Sequence, residues 1–203
     1  MKMNLPNKLS VLRLCMVPVF VVIMLLSDAL WANIAGLVLF CVASYTDMLD
    51  GKIARARGLI TDFGKFLDPL ADKFMVIGAM LAILYKSLAL TPECPWFGTL
   101  FIWAAMLVIF RELAVTSIRL VVSGSSGIVV AANMLGKIKT CTQIACVISC
   151  IAERIFDWNI DALGFLKSYL PLSAFSTVLM LFFTLWSGIN YIVSYWKYLD
   201  PEK

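Results

Sequence analysis

The chain contains no histidine among its 203 residues, and its six cysteines include no Cys-x2-Cys pair. Zinc sites are built mainly from these two residue types at such spacings, so the sequence argues against a zinc centre. Five of the six cysteines lie in apolar runs and are predicted to be small buried hydrophobic residues. Because histidine is absent, any general base has to be a carboxylate, a lysine, a tyrosine or water.

The chain also lacks a polar segment long enough for a separate soluble domain, and only 15% of its residues are charged. Hydrophobic residues make up 62%, above the roughly 45–50% that is typical of soluble domains. The excess lies in runs of about 20 residues, the length at which a helix crosses a bilayer. These properties predict an all-α membrane protein with one transmembrane domain over residues 1–203.

Six apolar runs are predicted to form transmembrane helices. With six spans, both termini share one side of the membrane with the second-to-third and fourth-to-fifth connections. That side holds fourteen of the 17 lysine and arginine residues. Such a bias indicates the cytoplasmic side, so both termini are predicted to be cytoplasmic. The predicted spans are Val11–Leu26, Ala29–Tyr45, Asp68–Leu88, Trp96–Leu120, Ala131–Ile151 and Ser173–Tyr195.

Three other features are assigned purely structural roles. The stretch SGSSG at 123–127 is predicted to be a flexible linker between the fourth and fifth spans. The segment from Glu153 to Leu170 mixes aromatic and charged residues, which is typical of a segment at the membrane surface. Aromatic residues on the last span are predicted to form an interfacial belt: Trp186, Tyr191, Tyr195, Trp196 and Tyr198.

Four aspartates stand out against this apolar background. Asp47 and Asp50 are three residues apart, and Asp68 and Asp72 are four apart, so each pair shares one helix face. We predict that the first pair ends the second span and that the second pair begins the third, with Pro69 in the first turn. The connection at 51–67 is short, so the two pairs can converge.

Four carboxylates in one small volume repel each other, and each costs about 2.5 kcal/mol or more to place in a membrane. A divalent cation with oxygen ligands, such as Mg²⁺, Mn²⁺ or Ca²⁺, would offset that repulsion. Spacing alone leaves two alternatives. The aspartates could line an ion pathway, or they could be solvated acids paired with neighbouring cations, namely Lys52, Arg55, Arg57 and Lys65.

The full pattern is more specific than the acids alone. It reads D-x2-D-G-x2-A-R-x8-G-x3-D-x3-D from Asp47 to Asp72, and it resembles the signature of the CDP-alcohol phosphotransferase family at every position. The resemblance implies six transmembrane helices and a site with two Mg²⁺ or Mn²⁺ ions. It also implies that Asp47, Asp50, Asp68 and Asp72 are metal ligands and that Asp72 is the general base.

The same resemblance implies a binding surface for the CDP part of a CDP-linked lipid. Glycines in such a surface allow close approach of a nucleotide or a helix backbone. The residues implied are Asn7, Arg13, Gly51, Arg55, Thr61 and Gly64.

A second group of cations follows the motif at Arg111, Arg119, Lys137 and Lys139. Cations beyond the metal site suggest a phosphate on the acceptor alcohol, although each could simply reflect the positive-inside bias. The stretches NLPNKLSVLRL, FRELAVTSIR and GKIKTCTQ are similar to those of bacterial phosphatidylglycerophosphate synthases within the family. This resemblance implies CDP-diacylglycerol as donor, sn-glycerol 3-phosphate as acceptor, and those four cations as the phosphate site.

Neighbouring residues are given supporting roles. Glu112 is predicted to form a structural ion pair with a nearby cation, and Thr140 and Gln143 to make polar contacts between helices. The family resemblance further implies a homodimer in a bacterial inner membrane with its active site facing the cytoplasm. Inositol phosphate, serine or phosphatidylglycerol remain alternative acceptors, and a cation channel or carrier is the alternative of a different class.

Overall fold

The computed structural model describes residues 4–57, 61–89, 94–126, 134–159 and 170–196. These residues form six α-helices, and the ranges just given contain no strand. The helices are α1 Leu5–Leu26, α2 Leu30–Arg57, α3 Asp62–Ala89, α4 Pro95–Ser126, α5 Met134–Asn159 and α6 Pro171–Tyr195. The all-α prediction is therefore confirmed.

Five of the six helices are long and apolar enough to cross a membrane, and the exception is α3. Its apolar run is interrupted by Asp72, Lys73 and Lys86. Large apolar side chains also face outward along the described helices, among them Trp103, Phe110 and Phe175. Outward-facing apolar residues are typical of lipid contact, so the chain is a multi-pass membrane protein. The third span and the location of the termini stay predictions.

The helices pack as two groups joined through α3 and α5. In the first group α1 lies against both α2 and α3, and in the second α6 lies against both α4 and α5. Contacts of α2 with α5, and of α3 with α4 and α5, join the groups. The buried core contains small and flexible apolar residues, including Ala79, Met80, Ala104, Val108 and Met180. Small residues let the helix backbones approach closely.

Several predicted boundaries were wrong. Helix α2 continues through Arg57 and α3 already begins at Asp62, so the connection between them shrinks to 58–61. Pro69 accordingly lies inside α3 rather than in its first turn. The SGSSG stretch does not form a linker up to Ser126, because α4 extends to that residue. Helix α5 runs to Asn159, past the predicted end at Ile151. Packing against neighbouring helices stabilises helical structure beyond the apolar run that marks a span.

At one end of the bundle, a network of ion pairs and hydrogen bonds connects several helices. The ammonium of Lys86, whose side chain is 0% exposed, lies 3.2 Å from Asp28 Oδ1 and donates to Asn33 Oδ1 at 2.7 Å. Arg154 reaches the same Asp28 oxygen at 3.5 Å. These four residues, named the far-end network here, join α3, α5 and the junction between α1 and α2. Lys86 lies about 27 Å from Asp68 along α3, at 1.5 Å per residue.

A second contact at this end was missed by the sequence analysis. The carboxylate of Glu153 on α5 accepts hydrogen bonds from the backbone N–H groups of Leu172 at 3.0 Å and Ser173 at 2.7 Å. A carboxylate at a helix N-terminus satisfies amides that lack a partner within the helix and interacts favourably with its dipole. Glu153 is thus the N-terminal cap of α6 and not part of a surface segment.

Candidate active site

Helix α1 links the two helices that carry the aspartate motif. The guanidinium of Arg13 on α1 is buried and forms an ion pair with Asp47 on α2. From the same helix, Ser10 Oγ donates a hydrogen bond to Asp68 Oδ1 on α3 at 2.6 Å. The described aspartates of the motif, Asp47, Asp68 and Asp72, are named the acidic cluster here. Two of its three members are therefore positioned by α1.

Asp72 is a member of the acidic cluster on which charges from the second group of helices also act. It follows Asp68 by one turn of α3 and is partly buried. The negative charge of Asp47 and the positive charge of Lys139 both act on its carboxyl group. Asp72 is therefore within electrostatic reach of Lys139 on α5.

Asn7, Thr61 and Gly64 form one small contact group beside the motif. Thr61 precedes the first residue of α3, and its Oγ1 accepts a hydrogen bond from Gly64 N at 3.1 Å, as an N-cap does. Asn7 Nδ2 donates to the same oxygen at 2.9 Å. A Cβ on Gly64 would lie 2.9 Å from Asn7 Oδ1, closer than side chains normally come. The glycine therefore makes room for Asn7.

Four motif residues are described by their backbone alone. Asp50, Gly51, Ala54 and Arg55 belong to α2, and their surroundings lie outside what the structure describes. Their predicted roles stay predictions.

The chemistry of the acidic cluster suits a hard divalent cation, because its groups are carboxylate oxygens. Within the described part of the chain, no three His, Cys, Asp or Glu side chains come close enough to form a metal site by themselves. A complete ligand set would need a further group, and Asp50 is the motif residue that could supply it.

Three of the four predicted acceptor cations lie together where α4, α5 and α6 meet. Arg111 Nη2 donates to Ser187 Oγ at 2.6 Å, and its guanidinium lies 5.7 Å from the centre of the Tyr191 ring. Arg119 Nη2 donates to the Tyr191 hydroxyl at 3.4 Å. Lys139 forms an ion pair with Glu112. Arg111, Arg119, Lys139 and Glu112 are named the cation cluster here.

Lys137 is separated from this cluster. It is exposed, whereas Lys139 is buried. Side chains two positions apart leave a helix in directions about 200° apart, which accounts for the difference.

Glu112 neutralises part of the positive charge, as predicted. Besides Lys139 it contacts Arg111, with Oε1 3.4 Å from Nη1. The predicted interhelical contact of Thr140 was wrong, because its hydroxyl donates to the Gly136 carbonyl on its own helix at 3.1 Å. A threonine hydroxyl often bonds the carbonyl four residues back in this way.

The sequence analysis missed Ser187 and assigned Tyr191 to the aromatic belt. Tyr191 is only 5% exposed and serves both arginines of the cation cluster, so the belt assignment was wrong for this residue. Ser187, Gly188 and Tyr191 lie on one buried face of α6. The spacing of Ser187 and Tyr191, four residues apart, predicts that they share one helix face. The apolar sequence of α6 does not indicate which helix that face contacts.

Similarity to known proteins identifies the family to which the chain belongs. The family model described as CDP-alcohol phosphatidyltransferase matches residues 3–196. A Bacillus subtilis protein named CDP-diacylglycerol–glycerol-3-phosphate 3-phosphatidyltransferase is 38% identical over 211 residues, covering 98% of each chain. A Salmonella typhimurium protein of the same name is 32% identical over 196 residues, covering 95% of this chain and 94% of that protein.

A rice protein named cardiolipin synthase (CMP-forming) is 36% identical over 157 residues, or 75% of this chain and 46% of the rice protein. The match of the family model over nearly the whole chain, together with the Bacillus similarity at full length, is sufficient for assignment. The chain belongs to the CDP-alcohol phosphatidyltransferase family.

Proposed function

We propose that this enzyme transfers the phosphatidyl group of CDP-diacylglycerol to sn-glycerol 3-phosphate, giving phosphatidylglycerophosphate and CMP. The observation that carries the proposal is that the helices bearing the acidic cluster pack against those bearing the cation cluster, with the charge of Lys139 acting on the Asp72 carboxyl group. One cluster suits a metal-bound pyrophosphate and the other suits a phosphate on the acceptor. The names of the Bacillus and Salmonella relatives support the same reaction.

On the donor side, Asn7, Arg13, Thr61 and Gly64, with Gly51 and Arg55 of the motif, would bind the CDP part. The hydrogen bonds of Asn7 with Thr61 and the cap on Gly64 N support this, since they fix the entry to α3 beside the acidic cluster. A rigid binding surface holds the donor in one orientation and so lowers the entropy that the reaction must lose.

Members of the family generally depend on a divalent cation. In the proposed site Asp47, Asp50, Asp68 and Asp72 would hold Mg²⁺ or Mn²⁺, with two ions as the expected number. When bound, such ions neutralise pyrophosphate oxygens and stabilise the leaving group. Arg13 and Ser10 would then position Asp47 and Asp68 through the contacts already described.

On the acceptor side, Arg111, Arg119 and Lys139 would hold the phosphate of glycerol 3-phosphate, with Lys137 as an outer contact. Glu112 would keep the cluster from accumulating excess positive charge while it is empty. Asp72 would accept the proton of the attacking hydroxyl. The charge of Lys139 acts on its carboxyl group, which supports a position beside the acceptor site. The displacement would be direct and in line, without a covalent enzyme intermediate.

We also propose a six-span topology with α3 as the third span, a single domain and both termini cytoplasmic. The excess of lysine and arginine on one predicted side supports a site that faces the cytoplasm of a bacterial inner membrane. A homodimer is expected from the family resemblance.

A second acceptor is supported by one observation, the similarity to a cardiolipin synthase. Such an enzyme would use phosphatidylglycerol as acceptor. The test is purified enzyme with CDP-diacylglycerol, Mg²⁺ and one acceptor at a time: glycerol 3-phosphate, phosphatidylglycerol, inositol phosphate or serine. We expect CMP release with glycerol 3-phosphate only. Release with another acceptor and none with glycerol 3-phosphate would overturn the proposal.

A further inference from the structure

Three buried donor atoms beside the cation cluster have no hydrogen-bond partner among the residues that the structure describes. They are Arg111 Nε, Gln143 Nε2 and Thr184 Oγ1. The side chain of Gln143 is 2% exposed and that of Thr184 is 0% exposed. Buried polar groups are nearly always paired, because an unpaired donor has lost its water without a replacement. Such a group therefore calls for an occupant or a functional reason.

The helix directions place these donors at one level of the bundle. Helices α4 and α6 run parallel, since Arg111 contacts Ser187 and, further along both helices, Arg119 contacts Tyr191. Helices α5 and α6 run antiparallel, as the 3.5 Å contact of Cys146 with Thr177 and the cap of Glu153 on Ser173 require. Residues that follow Lys139 on α5 therefore lie at the same level as residues that precede Ser187 on α6.

Gln143 follows Lys139 by one turn of α5, and Thr184 precedes Ser187 by one turn of α6. Both are thus displaced in the same direction, about one turn or 5.4 Å from the ion pair of Lys139 with Glu112. Arg111 spans the two levels. Its Nη atoms contact Ser187 and Glu112, whereas its Nε has no hydrogen-bond partner among the described residues.

The three groups have one chemistry in common, because each can donate a hydrogen bond: a guanidinium N–H, an amide NH₂ and a hydroxyl. Donors without acceptors beside a cation cluster match a ligand rich in acceptor oxygens. A phosphate monoester presents several such oxygens and carries the charge that the cations favour. An acceptor without a phosphate group, such as serine or free inositol, lacks the doubly charged monoester that the cations favour.

We propose that Gln143, Thr184 and Arg111 Nε form the floor of the acceptor site and bind the phosphate of the acceptor alcohol beneath Lys139. This inference rests on the proposed function and extends it to two uncharged residues. In this arrangement Gln143 and Thr184 determine specificity, because they are satisfied only by an acceptor that carries a phosphate. They also make the empty enzyme less stable than an apolar packing would.

The test uses two nearly isosteric apolar variants of the full chain, Gln143→Leu and Thr184→Val. Each should raise the KM for glycerol 3-phosphate about tenfold, the effect of one lost hydrogen bond to a charged group. The KM for CDP-diacylglycerol should stay near the wild-type value. In detergent without substrates the melting temperature should be unchanged or higher, because an unpaired donor has been removed. The rise in melting temperature caused by added glycerol 3-phosphate should shrink.

Thr177→Val is the matched control. Thr177 is as deeply buried on the same helix, but its hydroxyl already donates to the Ser173 carbonyl at 2.7 Å. This variant should lower the melting temperature and leave the acceptor KM unchanged. Thr184→Ser, which keeps the hydroxyl, should restore the wild-type KM and serves if Thr184→Val folds poorly.

The inference is overturned if wild-type enzyme uses glycerol 3-phosphate while Gln143→Leu and Thr184→Val keep its KM unchanged. It is equally overturned if both variants lose stability as Thr177→Val does, since the hydroxyl and amide would then be paired within the protein. A wild-type enzyme that ignores glycerol 3-phosphate but uses another acceptor would instead contradict the proposed function itself.

Discussion

Each end of the bundle contains buried cations, Lys86 at one end and Arg111 and Lys139 at the other, and their surroundings are arranged in opposite ways. In the far-end network, Lys86 has carboxylate and amide oxygens around its ammonium, and Asp28 contacts two cations. In the cation cluster, Arg111 and Lys139 both contact the carboxylate of Glu112, Arg119 donates to the Tyr191 hydroxyl, and Arg111 Nε is unpaired among the described residues. The first arrangement is complete without a ligand, and the second is not.

This difference separates a structural role from a binding role. Charges buried in a membrane protein are costly, so a network that satisfies its own members can persist for stability alone. A cluster with surplus positive charge lowers the stability of the empty protein unless an anion binds there. Substitutions at the two ends should therefore differ in what they impair, ligand binding and catalysis at one end and stability at the other.

The largest effect is expected at the link between the two clusters. Asp72→Asn removes the proposed base and should lower kcat by about 10²–10⁴-fold, the usual contribution of general base catalysis. Binding of the CDP-linked lipid should be largely retained, because Asp47, Asp50 and Asp68 would still hold the metal ions and the amide keeps the size of the side chain. Single-turnover CMP release and donor binding measured on the same preparation provide the check. Normal turnover would exclude Asp72 as the base.

Arg119→Ala should weaken acceptor binding specifically. Loss of one charged donor should raise the KM for glycerol 3-phosphate by about tenfold or more, with a smaller change in the KM for CDP-diacylglycerol. The hydrogen bond to the Tyr191 hydroxyl is also lost, so Tyr191→Phe, which removes the hydroxyl and keeps the ring, is the control. Equal effects of Arg119→Ala on both KM values would remove Arg119 from the acceptor site.

At the far end, Lys86→Met should reduce stability but not catalysis. We expect a loss of about 2 kcal/mol in the free energy of unfolding. This is below the roughly 3–5 kcal/mol for a fully buried pair, because Asp28 keeps Arg154 and is partly exposed. Denaturation in detergent measures the loss, and steady-state kinetics on the folded fraction should give wild-type KM values. A raised acceptor KM would show that the two ends are coupled.

The smallest effect is expected at the cap of α6. Glu153→Gln keeps one acceptor oxygen but loses the negative charge, and should cost about 1 kcal/mol. The melting temperature should fall slightly while both KM values hold. A large loss of activity would mean that the position of α6, which carries Ser187 and Tyr191, depends on this cap.

The sequence alone predicted the helical class and the acidic motif, because apolar runs and fixed spacings are local properties of the chain. It also identified Glu112 as the partner of a nearby cation. It could not separate Lys137 from Lys139 by counting charges on one side of the membrane. Helical periodicity would have done so, since Lys139, Gln143, Cys146 and Cys150 recur on one buried face of α5.

Contacts between distant helices were beyond sequence reasoning. Arg111 and Ser187 are 76 residues apart, and nothing local to either residue indicates the other. The helix ends were also misjudged, because α2 and α3 continue as polar helices past their apolar segments. That Gln143 Nε2 has no hydrogen-bond partner among the described residues likewise follows from the packing of the bundle and not from the local sequence.

The contrast between the two ends can be tested most directly by titration calorimetry of glycerol 3-phosphate into purified protein, with CDP and Mg²⁺ present. We compare the wild type with Lys139→Met in the cation cluster and Lys86→Met in the far-end network. Binding should be lost in Lys139→Met and retained in Lys86→Met. Retained binding in Lys139→Met, or equal loss in both variants, would contradict the assignment of the cation cluster as the acceptor site.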